Sequence, residues 1–192
     1  MFVKDKKYVI TGAIGSGKTS IINELKKRGF YVVEEVAESF IMGLQKKKSK
    51  NLPWLNRVGF QNAIFPFLVQ NHENLPLNEV VFFDRGFPDE VAFFMQEDIS
   101  LSDNYAGACK KYEYEKVFLL SPWEEIYEKI STRPWSFSEV KKNFNLIVEA
   151  YNFFGYDLIE VPNDSIEKRV DLMNIPRSFA VGKKLKLMIT SF

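Results

Sequence analysis

Eight consecutive residues, 12–19, have the types and spacing of a phosphate-binding loop, G-x-x-x-x-G-K-[ST]. Glycines in such a loop let the backbone turn its N–H groups toward phosphate oxygens. Lys18 would add a mobile positive charge for the β- and γ-phosphates, and the Thr19 hydroxyl would contact Mg²⁺. The pattern therefore predicts ATP and Mg²⁺ as cofactors, with nucleotide contacts from Gly12, Gly15, Ser16, Gly17, Lys18 and Thr19.

The sequence around this loop separates it from similar patterns. A chance match in a glycine-rich turn is the alternative, but an apolar strand precedes the loop and an amphipathic helix follows it. The glycine spacing is not that of the dinucleotide fingerprint G-x-G-x-x-G. The D-x-x-G and N-K-x-D motifs of GTP-binding switches are absent from the chain. A small phosphotransferase fits this combination best.

Asp84 and Arg85 form the second candidate element. They follow an apolar run, residues 80–83, at the carboxyl end of a predicted strand, where ligands bind in parallel sheets. Asp84 would hold Mg²⁺ and orient an attacking hydroxyl, and Arg85 would bind a substrate phosphate or carboxylate. The alternative is that Asp84 only caps the next helix.

A kinase must also cover the transferring phosphate and supply cations from a lid. Residues 133–137 lie after the fourth predicted strand and between two helical segments, so they are the predicted lid. Arg133 is its predicted catalytic cation. The alternative is a solvated arginine at a helix end.

The elements that must position these residues alternate between strand and helix. This order predicts an α/β fold with a five-stranded parallel sheet and right-handed crossovers. A helix is expected over 17–28, ending at Gly29, and another from Ser136 to Gly155. The predicted strands cover residues 8–11, 31–33, 80–83, 117–120 and 157–161.

Three sequences have the form of a capping box, and they predict helix starts at Ser121, Ser136 and Asp164. We expect one kinase-like domain over residues 1–175, with a helical, acceptor-side insertion at 36–78. Residues 176–192 form a C-terminal tail that breaks the strand–helix rhythm and would support an oligomer if one forms.

Composition limits the remaining classes of function. The 192 residues carry 26 basic and 25 acidic side chains, so neither a nucleic-acid nor a membrane-surface binder is expected. One cysteine excludes an intrachain disulfide, and one histidine disfavours a zinc site and a Ser-His-Asp triad. No apolar run is long enough to span a membrane, and the first residues lack the apolar stretch of a signal peptide. A cytoplasmic location is the expectation.

From Ile10 to about Leu172 the chain resembles the NadR-like family of P-loop proteins, which joins the kinase domain of ribosylnicotinamide kinase to a group of ATPases and is also called an AAA domain. The resemblance implies a P-loop nucleoside triphosphate hydrolase fold of the adenylate- and nucleoside-kinase type with a helical lid. The segments that carry it are TGAIGSGKT (11–19), GFYVVEE (29–35), FFDRG (82–86), VFLLSPWEEIY (117–127) and YNFFGYDLIEVP (151–162).

The same resemblance implies roles for individual residues. It makes Asp84 and Arg85 the catalytic pair and Arg133 the lid cation, and it maps a carboxylate after the second strand near Glu35. Glu35 is the rival of Asp84 as the catalytic base. Arg57 and Gln61 fall in the insertion, where acceptors bind in this fold; the alternative is that both, like Gln70, are solvated polar side chains.

Two classes of function remain open on the sequence. One is an ATP-dependent kinase whose partners are ATP and a small-molecule acceptor, such as a nucleoside or its phosphate. The other is a nucleotide-dependent regulatory ATPase, or an ATP- or GTP-binding protein, that acts through a partner. Acceptor-stimulated turnover would distinguish the kinase from the regulator.

Overall fold

A five-stranded parallel sheet forms the centre of the protein, as the sequence predicts. The computed structural model describes residues 6–77, 79–128 and 135–175. The strand order is β2-β3-β1-β4-β5, and all pairs are parallel. The strands are β1 Lys6–Gly12, β2 Tyr31–Val33, β3 Val80–Asp84, β4 Lys116–Leu120 and β5 Leu158–Glu160.

Helices connect these strands and cover both faces of the sheet. The described helices are α1 Lys18–Lys27, α2 Ala37–Lys46, α3 Arg57–Glu73, α4 Phe87–Gln96, α5 Asp103–Lys111, α6 Phe137–Phe153 and α7 Ile166–Leu172, with a 3₁₀ turn at Glu124–Ile126. The predicted helical insertion consists of α2 and α3, and α3 continues through Pro66. Within the described residues, no helix is both long and apolar enough to cross a membrane.

Alternate residues of the central strands supply the two halves of the core. Ile10 and Phe82 face α1 and α7, where Ile21 and Leu25 are fully buried. Val9 and Phe83 face the opposite layer, which α4, α5 and α6 cover. Strands buried on both faces must be apolar on both faces, which explains the uninterrupted run Val80–Phe83.

The register of the sheet places the chemical motifs at one edge. Ile10 pairs with Asp84, and Gly12 pairs with Leu120. The loop after β1, the carboxylate that ends β3 and the segment after β4 therefore emerge together at the carboxyl ends of the strands. This is the edge at which parallel α/β sheets bind ligands.

The three predicted capping boxes have different outcomes. Ser136 caps α6 as expected, because its hydroxyl accepts from the Glu139 N–H and the Glu139 carboxylate accepts from the Ser136 N–H. Helix α7 is capped by Ser165 and not by Asp164, which instead accepts from the Ser165 N–H. The prediction at Ser121 is wrong: its hydroxyl donates to Glu160 on β5, and the described residues that follow, up to 128, form only the 3₁₀ turn.

Candidate functional site

The phosphate loop connects β1 to α1 and depends on glycine at its bends. Gly12, Gly15 and Gly17 all have positive φ values, of 127°, 76° and 90°. At Gly12 a Cβ atom would lie 2.1 Å from the Leu120 carbonyl oxygen, so any side chain would separate β1 from β4. The loop conformation therefore requires glycine for both backbone and packing reasons.

Lys18 is the first residue of α1, and its ammonium group lies inside the loop. Its Nζ donates to the carbonyl oxygens of Gly12 at 3.0 Å and Ala13 at 2.6 Å. Burial, followed by the nearby Arg85 guanidinium, lowers the pKa of Lys18 to about 7. Negative charge bound at the loop would favour the protonated form and compete with the two carbonyl groups for it.

The other two polar loop residues differ in exposure. Ser16 is fully buried, and its hydroxyl donates to the Ala13 carbonyl at 2.8 Å, which fixes the loop from inside. Thr19 is exposed at the start of α1, so its hydroxyl is accessible to a ligand.

Asp84 ends β3 beside the loop, and one of its oxygens has no partner. Its Oδ1 is buried and accepts no hydrogen bond from the described residues. Burial, together with the charge of Glu35, raises the pKa of Asp84 to about 6, although Arg85 and Lys18 oppose the shift. A buried carboxylate oxygen without a donor needs a cation or a ligand hydroxyl to satisfy it.

This orphaned oxygen and the Thr19 hydroxyl fit a magnesium ion. Both are hard oxygen donors, and Mg²⁺ takes one or two protein oxygens and completes its shell with water and substrate phosphates. No group of three or more His, Cys, Asp or Glu side chains in the described part of the chain would bind a metal alone. The donor set thus suits a nucleotide-associated cation and not an all-protein cage.

Arg85 adopts a backbone conformation that is unusual for a side-chain-bearing residue. Its φ is 75°, and its N–H donates to the Ile10 carbonyl at 3.1 Å. Its Nε donates to Glu35 and its Nη1 to Asp89, both at 3.2 Å. Burial would lower the pKa of Arg85, but the carboxylates of Glu35, Asp89 and Asp84 outweigh burial and raise it. Arg85 is therefore a fixed cation beside Asp84.

Asp89, which sequence analysis missed, holds this cation in place. Its side chain is 3% exposed. It accepts hydrogen bonds from four donors: the Thr11 hydroxyl, the Tyr151 hydroxyl, the Gly86 N–H and Arg85 Nη1. Only its position could have indicated this role, because an acidic residue three places after the cap residue Gly86 can accept from the cap's backbone N–H at the start of α4.

A cavity opens next to these charges between the ends of β2 and β3, and we call it the β2–β3 cavity. Its polar lining includes Glu35, Asp84, Arg85 and Glu90, whereas Ile64, Leu68, Phe83 and Phe87 supply apolar walls. His72 forms its floor, stacked on the Phe83 ring with 4.3 Å between centroids. The cavity thus combines apolar walls with a charged end whose residues Asp84, Arg85 and Glu35 interact electrostatically with Lys18.

His72 is neutral and structural in this arrangement. Its Nδ1–H donates to the Leu68 carbonyl at 2.7 Å, and Tyr114, which accepts from the Phe87 N–H, donates to His72 Nε2 at 2.8 Å. Burial lowers the pKa of His72 to about 4. Both ring nitrogens are therefore engaged by groups of the protein itself.

Gln61 and Glu90 form a polar pair at the cavity. The Tyr105 hydroxyl donates to Gln61 Oε1 at 2.6 Å, which directs the amide Nε2 toward Glu90 Oε2 at 3.3 Å. Gln61 is 2% exposed, so the alternative of a solvated side chain is wrong for it, whereas Gln70 is exposed. Burial raises the pKa of Glu90, another residue missed from the sequence, to about 7.

Two predicted site residues stand apart from this cluster. Arg57 lies at the start of α3, is more than half exposed and pairs with Glu97 at 2.5 Å, not with the carboxylates of the cavity. Arg133 lies outside the described residues, as do Pro134 of the predicted lid and the tail 176–192. Of the other predicted residues, the cavity lining contains Glu35, Asp84 and Arg85, whose charges act on Lys18 of the loop. Gln61 meets the cavity only through its hydrogen bond to Glu90.

Comparison with known proteins agrees with the P-loop interpretation. The model of a family described as an AAA domain matches residues 7–169. None of the curated proteins matches the chain. Solved structures, in contrast, share its fold.

Three of these structures illustrate the likeness. NadR, solved in complex with NR, is 12% identical with a TM-score of 0.66; the match covers 92% of this chain and 52% of NadR. Shikimate kinase from Acinetobacter baumannii, in complex with shikimate, is 14% identical with a TM-score of 0.56; the match covers 90% of this chain and 93% of the kinase. Deoxyadenosine kinase from M. mycoides is 18% identical with a TM-score of 0.50; the match covers 88% of this chain and 96% of that kinase. At sequence identities this low, the structural similarity establishes the fold alone.

Proposed function

The chain belongs to the family of AAA domains, and from this premise we propose that it is a small-molecule kinase. It transfers the γ-phosphate of ATP to a hydroxyl or phosphate of a nucleoside-like or nucleotide-like acceptor. The observation that carries the proposal is the position of the β2–β3 cavity: its charged end, with Asp84, Arg85 and Glu35, faces Lys18. Three solved structures of the same fold are of proteins named as kinases or solved in complex with NR or shikimate.

The phosphate loop would hold the donor. The N-terminus of α1 supplies backbone N–H groups, and Lys18 would exchange the carbonyl oxygens of Gly12 and Ala13 for the β- and γ-phosphates. Thr19 and Asp84 would hold Mg²⁺, which supplies charge neutralisation to the phosphates. Arg133 remains the proposed lid cation.

The cavity would hold the acceptor. The acceptor oxygen forms a bond to the γ-phosphorus as the bond to the leaving ADP oxygen breaks, and its proton passes to a carboxylate. Asp84 and Glu35 both lie beside Arg85, so either can accept that proton, and Arg85 would stabilise the charge that develops on the transferring group. Gln61 and Glu90 would bind the far end of the acceptor through amide and carboxyl hydrogen bonds.

A panel assay of ATP consumption with nucleosides, ribosides and their monophosphates tests this function. We expect at least one acceptor to raise turnover well above the acceptor-free rate and to be recovered as a phosphorylated product by mass spectrometry. Lys18→Ala should abolish transfer, and Asp84→Asn and Glu35→Gln should each reduce kcat, the larger loss marking the proton acceptor. Near-normal turnover of Asp84→Asn would exclude the role of Asp84.

The same assay addresses the regulatory alternative. Tight ATP binding with very slow hydrolysis that no acceptor stimulates would contradict the kinase proposal. Truncation after Pro176 is the second measurement, because unchanged kinetics would limit residues 177–192 to assembly or partner binding.

A further inference from the structure

Arg169, on the far side of the phosphate loop from the β2–β3 cavity, is a large buried cation that the proposed chemistry does not use. It lies on α7 and is 2% exposed. Its Nη1 donates to the Ser16 carbonyl at 2.9 Å, so it contacts the loop directly. A Cβ atom at Gly17 would lie 2.9 Å from this same nitrogen, which shows how closely the guanidinium approaches the start of α1.

The rest of the guanidinium has no polar partner. Nε and Nη2 are both buried and form no hydrogen bond within the described residues, and no carboxylate there pairs with Arg169. A buried charge is costly unless it is paired, and most buried polar groups have partners. Two unsatisfied donors on one cation therefore point to an acceptor that the described residues do not provide.

The geometry of these two donors restricts that acceptor. Nε–H and Nη2–H lie on the same side of the planar guanidinium and point in parallel, forming a two-pronged fork. Such a fork matches two adjacent acceptor atoms, as in a phosphate group or the O6 and N7 edge of guanine. A lysine ammonium group does not reproduce this two-pronged geometry.

The sheet order indicates which part of a bound nucleotide would lie near Arg169. With β1 in the centre, the β2–β3 cavity lies on one side of the loop, and the segment after β4 and helix α7 lie on the other. A nucleotide with its terminal phosphates at Lys18 and an acceptor in the cavity would extend its remaining parts to the opposite side of the loop, where α7 lies. Trp123, which follows β4, lies 5.5 Å from the Arg169 guanidinium and adds an aromatic face there.

We propose that Arg169 is a nucleotide-binding residue, whose free Nε–H and Nη2–H fork takes two adjacent acceptor atoms of the bound nucleoside triphosphate. The proposal rests on the nucleotide binding assumed in the proposed function. The two acceptors come either from a phosphate group or from the purine edge. In both cases Arg169 joins the ligand to the outer side of the loop through Ser16.

Calorimetric titration with ATP, GTP and inorganic tripolyphosphate, in the presence of Mg²⁺, tests this role. Arg169→Lys keeps the charge and one donor for the Ser16 carbonyl but loses the fork. We expect it to bind nucleotide about 10- to 100-fold more weakly, the effect of losing a charge-assisted pair. If the affinities for all three probes fall equally, the two acceptor atoms belong to a phosphate group. If the affinity falls for ATP or GTP but not for tripolyphosphate, they belong to the base.

Arg28→Lys is the matched control. Arg28 also links α1 to α7, through Asp171 and the Glu167 carbonyl, but it does not contact the loop. Its nucleotide affinity should stay within about twofold of the wild type. Equal losses in the Arg28 and Arg169 variants would attribute the effect to helix packing and overturn the proposal, as would wild-type affinity of Arg169→Lys.

Arg169→Met supplies a second measurement that does not depend on the lysine side chain. Removing an unpaired buried cation should leave the thermal unfolding temperature unchanged or raise it, while nucleotide affinity falls. A fall in stability with unchanged affinity would assign Arg169 to structure alone. A wild-type protein that binds none of the three probes would instead contradict the proposed function itself.

Discussion

The phosphate loop and the β2–β3 cavity meet at the end of β1, but they are built in different ways. The loop consists of consecutive residues, 12–19, and it would bind its ligand mainly with backbone N–H groups and one lysine. The cavity takes its polar side chains from segments far apart in sequence, with Glu35 after β2, Asp84 on β3 and Glu90 on α4, and Gln61 of α3 contacts Glu90 from outside the lining. One region is local and depends on glycine, whereas the other depends on long-range packing.

This difference determines how each region responds to substitution. A backbone site fails when a residue cannot adopt the required φ or when the central charge is lost. A site made of side chains on separate elements changes gradually, because each group is held by neighbours that survive its loss. Substitutions in the loop should therefore remove activity, and substitutions in the cavity should shift stability, acceptor affinity and pH dependence.

Lys18→Met should produce the largest effect. It removes the charge that would neutralise the transferring phosphate, so we expect a loss in turnover of roughly 10³-fold or more with an intact fold. The control is Lys27→Met, on the exposed face of the same helix. Comparable turnover of the two variants would show that the loop does not act on phosphate as we propose.

Asp89→Asn should have the next largest effect, on stability as well as on activity. An amide cannot accept from all four donors or neutralise Arg85, so we expect a loss of about 3 kcal/mol in the free energy of unfolding. Denaturant titration measures it, with Asp98→Asn at the exposed end of α4 as the control, since asparagine tolerates its positive φ of 52°. A loss below 1 kcal/mol would mean that Asp89 does not hold the cluster together.

Gln61→Leu should act on the acceptor alone. The Tyr105 hydroxyl keeps a partner in the backbone carbonyl of residue 61, at 3.0 Å, so the fold should tolerate the change. We expect the KM for the acceptor to rise about 10-fold while the KM for ATP stays constant, consistent with the loss of one or two hydrogen bonds. Gln70→Leu, exposed on the same helix, is the control, and an equal rise there would remove Gln61 from the acceptor site.

Glu90→Gln should give the smallest effect, visible as a change with pH. The pKa of Glu90 is about 7 in the folded protein and 4.5 in its ordinary state. Between these values the unfolded chain loses the proton and the folded chain keeps it, so the wild type loses stability as pH rises through this window. The variant should therefore melt higher than the wild type at pH 8, by roughly 2–4 °C for each kcal/mol regained, and no higher at pH 4.5. Glu113→Gln, an exposed position, should show no such difference between the two pH values.

The same contrast explains what the sequence could predict. Short segments of sequence predict the phosphate loop, the five strands and the pair Asp84–Arg85, because glycine spacing and apolar runs are enough to recognise them. No such pattern predicts the roles of Asp89 and Glu90, because acidic residues in the first turn of a helix are ordinary. Their importance arises from Gln61 and Tyr151, which only the folded chain brings to α4.

Local patterns also failed where tertiary contacts compete with them. Ser121 has the sequence of a helix cap, but β5 presents the Glu160 carboxylate to its hydroxyl, and this contact replaces the cap. Arg57 shares α3 with Gln61, but its position at the end of the helix directs it to Glu97. No sequence pattern indicated a role for Arg169, because its partner Ser16 lies near the opposite end of the domain in sequence.

The pairing of β1 also determines when the protein can assemble during synthesis. Strand β1 is made first, yet its neighbours in the sheet, β3 and β4, begin only at Val80 and Lys116. The Ala13 N–H, at the entrance of the loop, finds its acceptor in the Leu120 carbonyl. An emerging chain therefore carries an apolar strand with both edges unpaired until β3 is made and with one edge unpaired until residue 120 is made, and nucleotide cannot assist folding before that point. Aggregation during expression should begin at β1, and slower translation upstream of residue 120 should increase it.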